Sequence, residues 1–290
     1  MNIYEQTTSN RRKSWLLFIL FFVIMFILGW VISAAMGIGT PGAIIIMILT
    51  IIYMIIMYYF LGNTMILSVN NAHKAKKEDY PYLFNTVEGL SIAAGIPMPE
   101  VYVIKDPSPN AFATGRDPKH SSVAVTTGLL ERLNRLELEG VIAHELSHIK
   151  NLDIRYTLIV IAMIGAIGIL AGFASRIWWF GGGRRDKGSG ALVIVALILG
   201  ILAPIVAQMI KLAISRKREY MADASGALLT RYPQGLADAL RKISQAEPMK
   251  SADEASAPLY ISNPFGKKSL SNLFSTHPPM EERIKALEGM

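Results

Sequence analysis

Four apolar runs that carry no charge, Trp15–Ala35, Ala43–Leu61, Tyr156–Ala174 and Ala191–Ile210, restrict what this chain can fold into more than any other feature. A helix rises about 1.5 Å per residue, so roughly 20 apolar residues cross a hydrocarbon core of about 30 Å. The runs therefore predict four membrane-spanning helices arranged as two hairpins. A hydrophobic fraction of 52% and a mean hydropathy of +0.36 agree, because both are too high for an ordinary soluble enzyme. The first run is too long for the core of a signal peptide. It is also followed not by a cleavage site and a polar chain but by Gly37-Ile38-Gly39-Thr40-Pro41, which leads directly into the second run.

Cations orient these spans. Arg11, Arg12 and Lys13 precede the first and Lys74, Lys76 and Lys77 follow the second, with an uncharged connection between. Lys150 and Arg155 precede the third, and Lys211, Arg216, Lys217 and Arg218 follow the fourth. The positive-inside rule places these flanks, and with them both termini, in the cytoplasm. The segment Arg176–Lys187 opposes this, since its cations outnumber its one anion although two crossings would put it outside. A re-entrant or cavity-lining hairpin is the alternative, given Gly165, Gly168, Gly172, Pro204 and Gln208, but close helix packing is the simpler account of those residues. The net charge of +7 suits the membrane surface rather than nucleic acid, because the basic residues cluster beside apolar segments and form no aromatic-studded patch.

The chain thus divides into a first hairpin over 1–61 (spans 15–35 and 43–61) and a polar portion over 62–155. A second hairpin over 156–212 (spans 156–174 and 191–210) and a second polar portion over 213–290 follow. In the first polar portion, apolar spacing predicts a helix from Lys76 to Ala94, ended by Gly95-Ile96-Pro97. Val101–Ile104 and Ser122–Val125 read as strands of a small sheet, joined through Asp106–Gly115 and a basic turn. Asn134 with Glu137 forms a capping box for a helix that runs on into the third span. In the second portion Pro233–Glu247 and Pro279–Leu287 read as helices. Pro248–Ser271 has no clear period and reads as a long surface connection, with a substrate-gating flap as the alternative.

The chemistry concentrates in His144-Glu145-Leu146-Ser147-His148. Residues four apart on a helix lie about 40° apart in rotation, so the two imidazoles converge on one face with Glu145 at its edge. Two neutral imidazoles suit Zn²⁺, and a carboxylate beside them can take a proton from a water the metal has acidified, as in metalloproteases of this motif. Two solvent-facing histidines are the ordinary alternative. The chain contains no cysteine, so the remaining ligand must be His or carboxylate. Glu219 and Asp223, one helical turn apart, offer a ligand and an orienting carboxylate. His277 is a competing third ligand. Asp153, five residues past His148 on a continuous helix, points away, and the lone His73 and His120 read as surface residues. Glu219 is preferred because two crossings return it to the membrane face that holds His144.

These pieces resemble the HtpX family of membrane-bound zinc metalloproteases, relatives of the CAAX-processing membrane proteases and of soluble gluzincins. The likeness covers nearly the whole chain. It rests on the N-terminal hairpin, Asn110-Ala111-Phe112-Ala113-Thr114-Gly115, the run His144–Asp153, Glu219 with Asp223, and Thr276-His277-Pro278-Pro279 followed by Arg283-Ile284. The resemblance implies one Zn²⁺ per chain held by His144, His148 and Glu219, with Glu145 as general base and Asp223 behind a ligand. It implies His277 contacting the oxyanion or substrate, and Asn110, Ala111, Phe112, Ala113 and Thr114 lining the substrate cleft. The expected molecule is a mainly α integral membrane protein of a bacterial inner membrane, with four transmembrane helices and a cytoplasmic gluzincin-like α+β domain containing a small sheet. Its expected partners are the lipid bilayer and peptide or membrane-protein substrates, misfolded or damaged ones by family likeness, cleaved close to the bilayer. A zinc-dependent scaffold or chaperone-like binder with vestigial hydrolysis is the competing reading, disfavoured by the presence of Glu145. A transporter would need ionisable residues in the spans, which offer essentially only Gln208.

Overall fold

The computed structural model describes residues 19, 21–34, 36–180, 216–250, 252, 256–265 and 278–290. The chain forms two compact units, one of Met1–Met57 with Ala162–Met209 and one of Tyr58–Ile161 with Ile210–Met290. The fourth expected span, 191–210, lies outside the described residues, as do residues 181–187 and His277.

In the first unit, α1 (Phe21–Ala34) turns back into α2 (Thr40–Ile56). The turn closes through Ile38 N and Gly39 N, which donate to Ser33 O at 2.9 and 3.1 Å, and through the Ser33 hydroxyl, which donates to Gly39 O at 2.6 Å. Pro41 sits in the first turn of α2, where its missing donor costs nothing. Among the described residues, α1 and α2 form a helix–turn–helix within the expected first hairpin. Ile44, Ile48, Ile52 and Ile55 on α2 are exposed, an outward face that suits hydrocarbon. Among the described residues, two helical stretches are long and apolar enough to cross a bilayer: Thr40–Phe60, 21 residues with mean hydropathy 2.5, and Asp153–Gly172, 20 residues with mean hydropathy 2.2.

The second unit opens with a π-helical turn, Met57–Leu61, and α3 (Gly62–Val69). A four-stranded mixed sheet follows, built from β1 (Ala72–Lys74), β2 (Glu100–Ile104), β3 (Ala111–Asp117) and β4 (His120–Thr126). Its order is β1-β2-β4-β3, with β2 and β4 parallel and the outer pairs antiparallel, so β3 lies at an edge. The two expected strands are β2 and β4. The expected connection between them instead contains β3, which passes as a loop by eye because Pro107, Pro109 and Asn110 precede it and Gly115 interrupts it. Gly115 adopts φ +140°, and a Cβ there would lie 2.3 Å from His120 O, so the bulge before the β3–β4 turn demands glycine.

Helix α4 spans Pro81–Ala94 rather than starting at Lys76, because residues 77–79 form a turn and Pro81 starts the helix. After α5 (Thr127–Arg132), the capping box holds: Asn134 Oδ1 accepts from Glu137 N at 3.0 Å, and Glu137 Oε2 accepts from Asn134 N at 2.8 Å. It starts α6 (Arg135–Lys150), which is packed by β3, α4, α8 (Arg216–Thr230) and α9 (Pro233–Ser244) and is buried along most of its length. Val141, Ile142, Leu146 and Ile149 of α6 join Val123, Val125, Leu236 and Leu240 in one apolar core.

Helix α6 does not run unbroken into the third span. Asn151 and Leu152 form a turn, Leu152 takes φ +61°, and a new helix, α7 (Asp153–Phe180), begins there. The expected helices near the C-terminus are α9 and α10 (Met280–Glu288). Between them the expected surface connection is partly core: Tyr260 and Ile261 are 0% and 1% exposed.

Candidate metal centre

The cap at Asn134 and the packing around α6 fix its axial position and roll, and so the direction of His144 and His148. Their rings meet edge to face at 4.7 Å, with Nε2 atoms 3.1 Å apart. From α8, Glu219 Oε2 approaches His144 Nε2 to 3.8 Å and Glu219 Oε1 approaches His148 Nε2 to 3.6 Å. An ion about 2.0–2.1 Å from each ligand atom requires those atoms to lie within about 4.2 Å of one another, and all three separations satisfy this. The donor set fits a divalent cation that accepts imidazole and carboxylate together. The close approach of α8 depends on Gly226, where a Cβ would lie 3.0 Å from His144 N.

Each imidazole is held from behind by a carboxylate. His144 Nδ1 lies 2.9 Å from Asp223 Oδ1, and His148 Nδ1 lies 3.0 Å from Asp153 Oδ2. The second pairing corrects the expectation that Asp153 points away, which assumed a continuous helix. The turn at Asn151–Leu152 swings Asp153 back towards His148. Asp223 is itself gripped by Arg283 of α10, whose Nε and Nη2 donate to its two oxygens at 2.8 and 2.6 Å. Arg283 is fully buried, lies 3.6 Å from Glu219 Oε2 and donates to Ile261 O at 3.1 Å. Nothing in a lone arginine of a C-terminal helix announces that it will be buried against a carboxylate 60 residues earlier.

Burial pushes the Glu145 carboxyl up to about 7, against the pull of His148, Arg283 and the Ala113 backbone amide. A carboxyl poised near neutrality can both take and return a proton. Burial also lowers His144. It would lower His148 too, but the hydrogen bond to Asp153 and the charge of Glu219 outweigh it and raise the ring to about 9. Burial opposes ionisation of Asp223, yet Arg283 and His144 hold it down to about 2. Glu145 Oε1 is buried and has no hydrogen-bond partner among the described residues.

A cleft beside these groups is lined by Ala113, Glu145, His148, Glu219, Pro258 and Leu259, among others. Of the segment Asn110 to Thr114, only Ala113 lines it. Phe112 and Thr114 are buried, Ala111 pairs through its carbonyl with Ile261 N at 2.9 Å, and Asn110 Nδ2 donates to Ser262 O at 3.0 Å.

Residues 77–290 match the model of Peptidase family M48. A Protease HtpX homolog of Dictyoglomus turgidum is 50% identical over 288 residues, covering 99% of this chain and 94% of the relative. A Protease HtpX homolog of Lactobacillus helveticus is 48% identical over 299 residues, covering 99% of this chain and all of the relative (100%). A crystal structure of S. mikatae Ste24p shares the fold, with a TM-score of 0.54 at 18% identity over 99% of this chain and 67% of that one.

Proposed function

The chain belongs to peptidase family M48 and is a membrane-associated metalloprotease acting on peptides or proteins; from that premise we propose a zinc endopeptidase that works at the cytoplasmic face of a bacterial inner membrane. The observation that carries the reading is the convergence of His144, His148 and Glu219 beside the buried Glu145. Bound zinc would polarise a scissile carbonyl and bring the pKa of a coordinated water towards about 7.

This chain's own residues supply the rest. Glu145 takes the proton of the attacking water and passes it to the leaving nitrogen. Asp223 and Asp153 fix the ring orientation of His144 and His148, leaving Nε2 of each for the metal. Arg283 keeps Asp223 ionised and restrains Glu219. His277 contacts the oxyanion or substrate, and of Asn110–Thr114 it is Ala113 of β3 that borders the cleft in which an extended peptide would lie.

We further propose the four-span arrangement, with membrane hairpins at 1–61 and 156–212, protease portions at 62–155 and 213–290, and both termini cytoplasmic. The preferred substrates are misfolded or damaged membrane proteins, cut near the bilayer during stress as a form of quality control. Support comes from chain continuity, since Asp153 both touches His148 and starts the long apolar helix α7.

Glu145→Gln tests the chemistry. The variant is expected to retain zinc by elemental analysis and lose casein or peptide hydrolysis by at least about 100-fold. Retained turnover would sink the assigned base.

A further inference from the structure

Residues 256–262 cross the edge of β3 and then leave it. Tyr260 forms an antiparallel bridge with Phe112, Ile261 N donates to Ala111 O at 2.9 Å, and Asn110 Nδ2 donates to Ser262 O at 3.0 Å. Continued pairing in that register would set residue 258 opposite Thr114. Ala257–Leu259 coil into a 3-10 turn instead. The bridge at Phe112 is the one that joins this stretch to β3 among the described residues, and Pro258 and Leu259 line, together with Ala113 of β3, the cleft that holds Glu145 and His148.

This wall is anchored firmly. The Ser256 and Tyr260 hydroxyls both donate to Asn70 Oδ1, at 2.8 and 3.0 Å, and the Tyr260 ring meets Phe112 edge to face at 4.9 Å. Arg283 donates to Ile261 O and to Asp223, so one side chain registers the wall against the carboxylate behind His144. Leu259 itself is only half-buried.

We propose that Pro258 and Leu259 form the second wall of the substrate channel, with Leu259 a specificity-determining residue that selects an aliphatic side chain next to the scissile bond. The lining supports that chemistry. Apolar Ala113 and Ile154 line the cleft together with Pro258 and Leu259. The charged lining groups are Glu145, His148 and Glu219 of the metal site and Asp153 with Arg218 3.9 Å from it. An aliphatic substrate side chain beside Pro258 and Leu259 displaces water from apolar surface.

The inference rests on the peptidase reading, and the experiment separates the two. Zinc-loaded full-length protein in detergent is given a peptide library varied at the residues flanking the cut, for the wild type, Leu259→Ala and Leu259→Trp. The expected result is a wild-type preference for aliphatic side chains at one flanking position. Leu259→Ala should shift that position towards larger side chains, and Leu259→Trp towards small ones, by about tenfold in kcat/KM and mainly through KM, the discrimination typical of a few methylenes. Zinc content should be unchanged in both. Three identical cleavage profiles with zinc intact would overturn the assignment of Leu259, as would shifts in kcat uniform across the library. No cleavage by the zinc-loaded wild type would instead count against the peptidase reading beneath it. Hydrogen exchange of residues 257–262 with peptide bound to Glu145→Gln supplies a second check. The wall should stay protected, and its deprotection would mean that substrate displaces it rather than lying against it.

Discussion

Each imidazole of the metal pair has its own carboxylate partner, and the two partners differ in how they are held. Asp223 is buried and clamped by Arg283, whereas Asp153 starts a helix and has Arg218 near it. Replacing Asp153 by Ala should lower zinc affinity or activity by about 10–100-fold, the usual cost of removing such a partner, read by competition with a chelator. Arg283→Ala should cost more, because it leaves the Asp223 charge buried without its partner. Unfolding at lower temperature together with weakened zinc binding is the expected outcome, whereas Arg283→Lys should recover only part because it loses the two-pronged grip. His144, Glu145 and His148 were legible from spacing alone, and Glu219 from its position after the return crossing. Asp153 was not, because its orientation depends on one residue, Leu152, leaving helical geometry. Arg283 was not, because burial of an arginine is a tertiary fact with no local signature.

Helix α6 shows how local signals and packing divide the work. Its start is written in Asn134 and Glu137, and Asn134→Ala should cost about 1 kcal/mol, measured as a fall in the unfolding midpoint with zinc stoichiometry preserved. Its contact with α8 is set by the lack of a side chain at Gly226. The added Cβ of Gly226→Ala would press on the His144 backbone, so α8 must shift, and zinc affinity should fall further than stability does. Strands β2 and β4 were evident from their β-branched runs. Strand β3 was hidden by the prolines before it and by Gly115, whose role becomes visible only beside His120. The stretch around Tyr260 was hidden for a related reason: it pairs with β3 through a single bridge and a few side-chain anchors, too little to impose a period on the sequence.

At the scale of the whole molecule, the candidate metal ligands lie on α6 and α8, separated in sequence by the apolar runs 156–174 and 191–210. Metal should therefore hold α6 and α8 together. Stripping it with chelator should lower the unfolding temperature, by an amount equivalent to about 4 kcal/mol when free zinc had stood at 1,000 times its dissociation constant. The proposed orientation is equally open to test, because the chain has no cysteine of its own. A membrane-impermeant thiol reagent applied to intact cells should label Lys187→Cys and spare Lys76→Cys and Glu247→Cys; labelling of the latter pair would reverse the orientation. Apolar runs and flanking cations carry the proposed membrane hairpins, because lipid imposes a requirement on every residue of a span. The preference for Glu219 over His277 in the sequence drew on that proposed topology. The most direct test of the central claim is X-ray absorption at the zinc edge of the loaded full-length protein. The account predicts two imidazole nitrogens at about 2.0–2.1 Å and carboxylate oxygen at about 2.0–2.2 Å, with loss of the carboxylate contribution in Glu219→Ala. A first shell of three imidazoles, unchanged in Glu219→Ala, would contradict it.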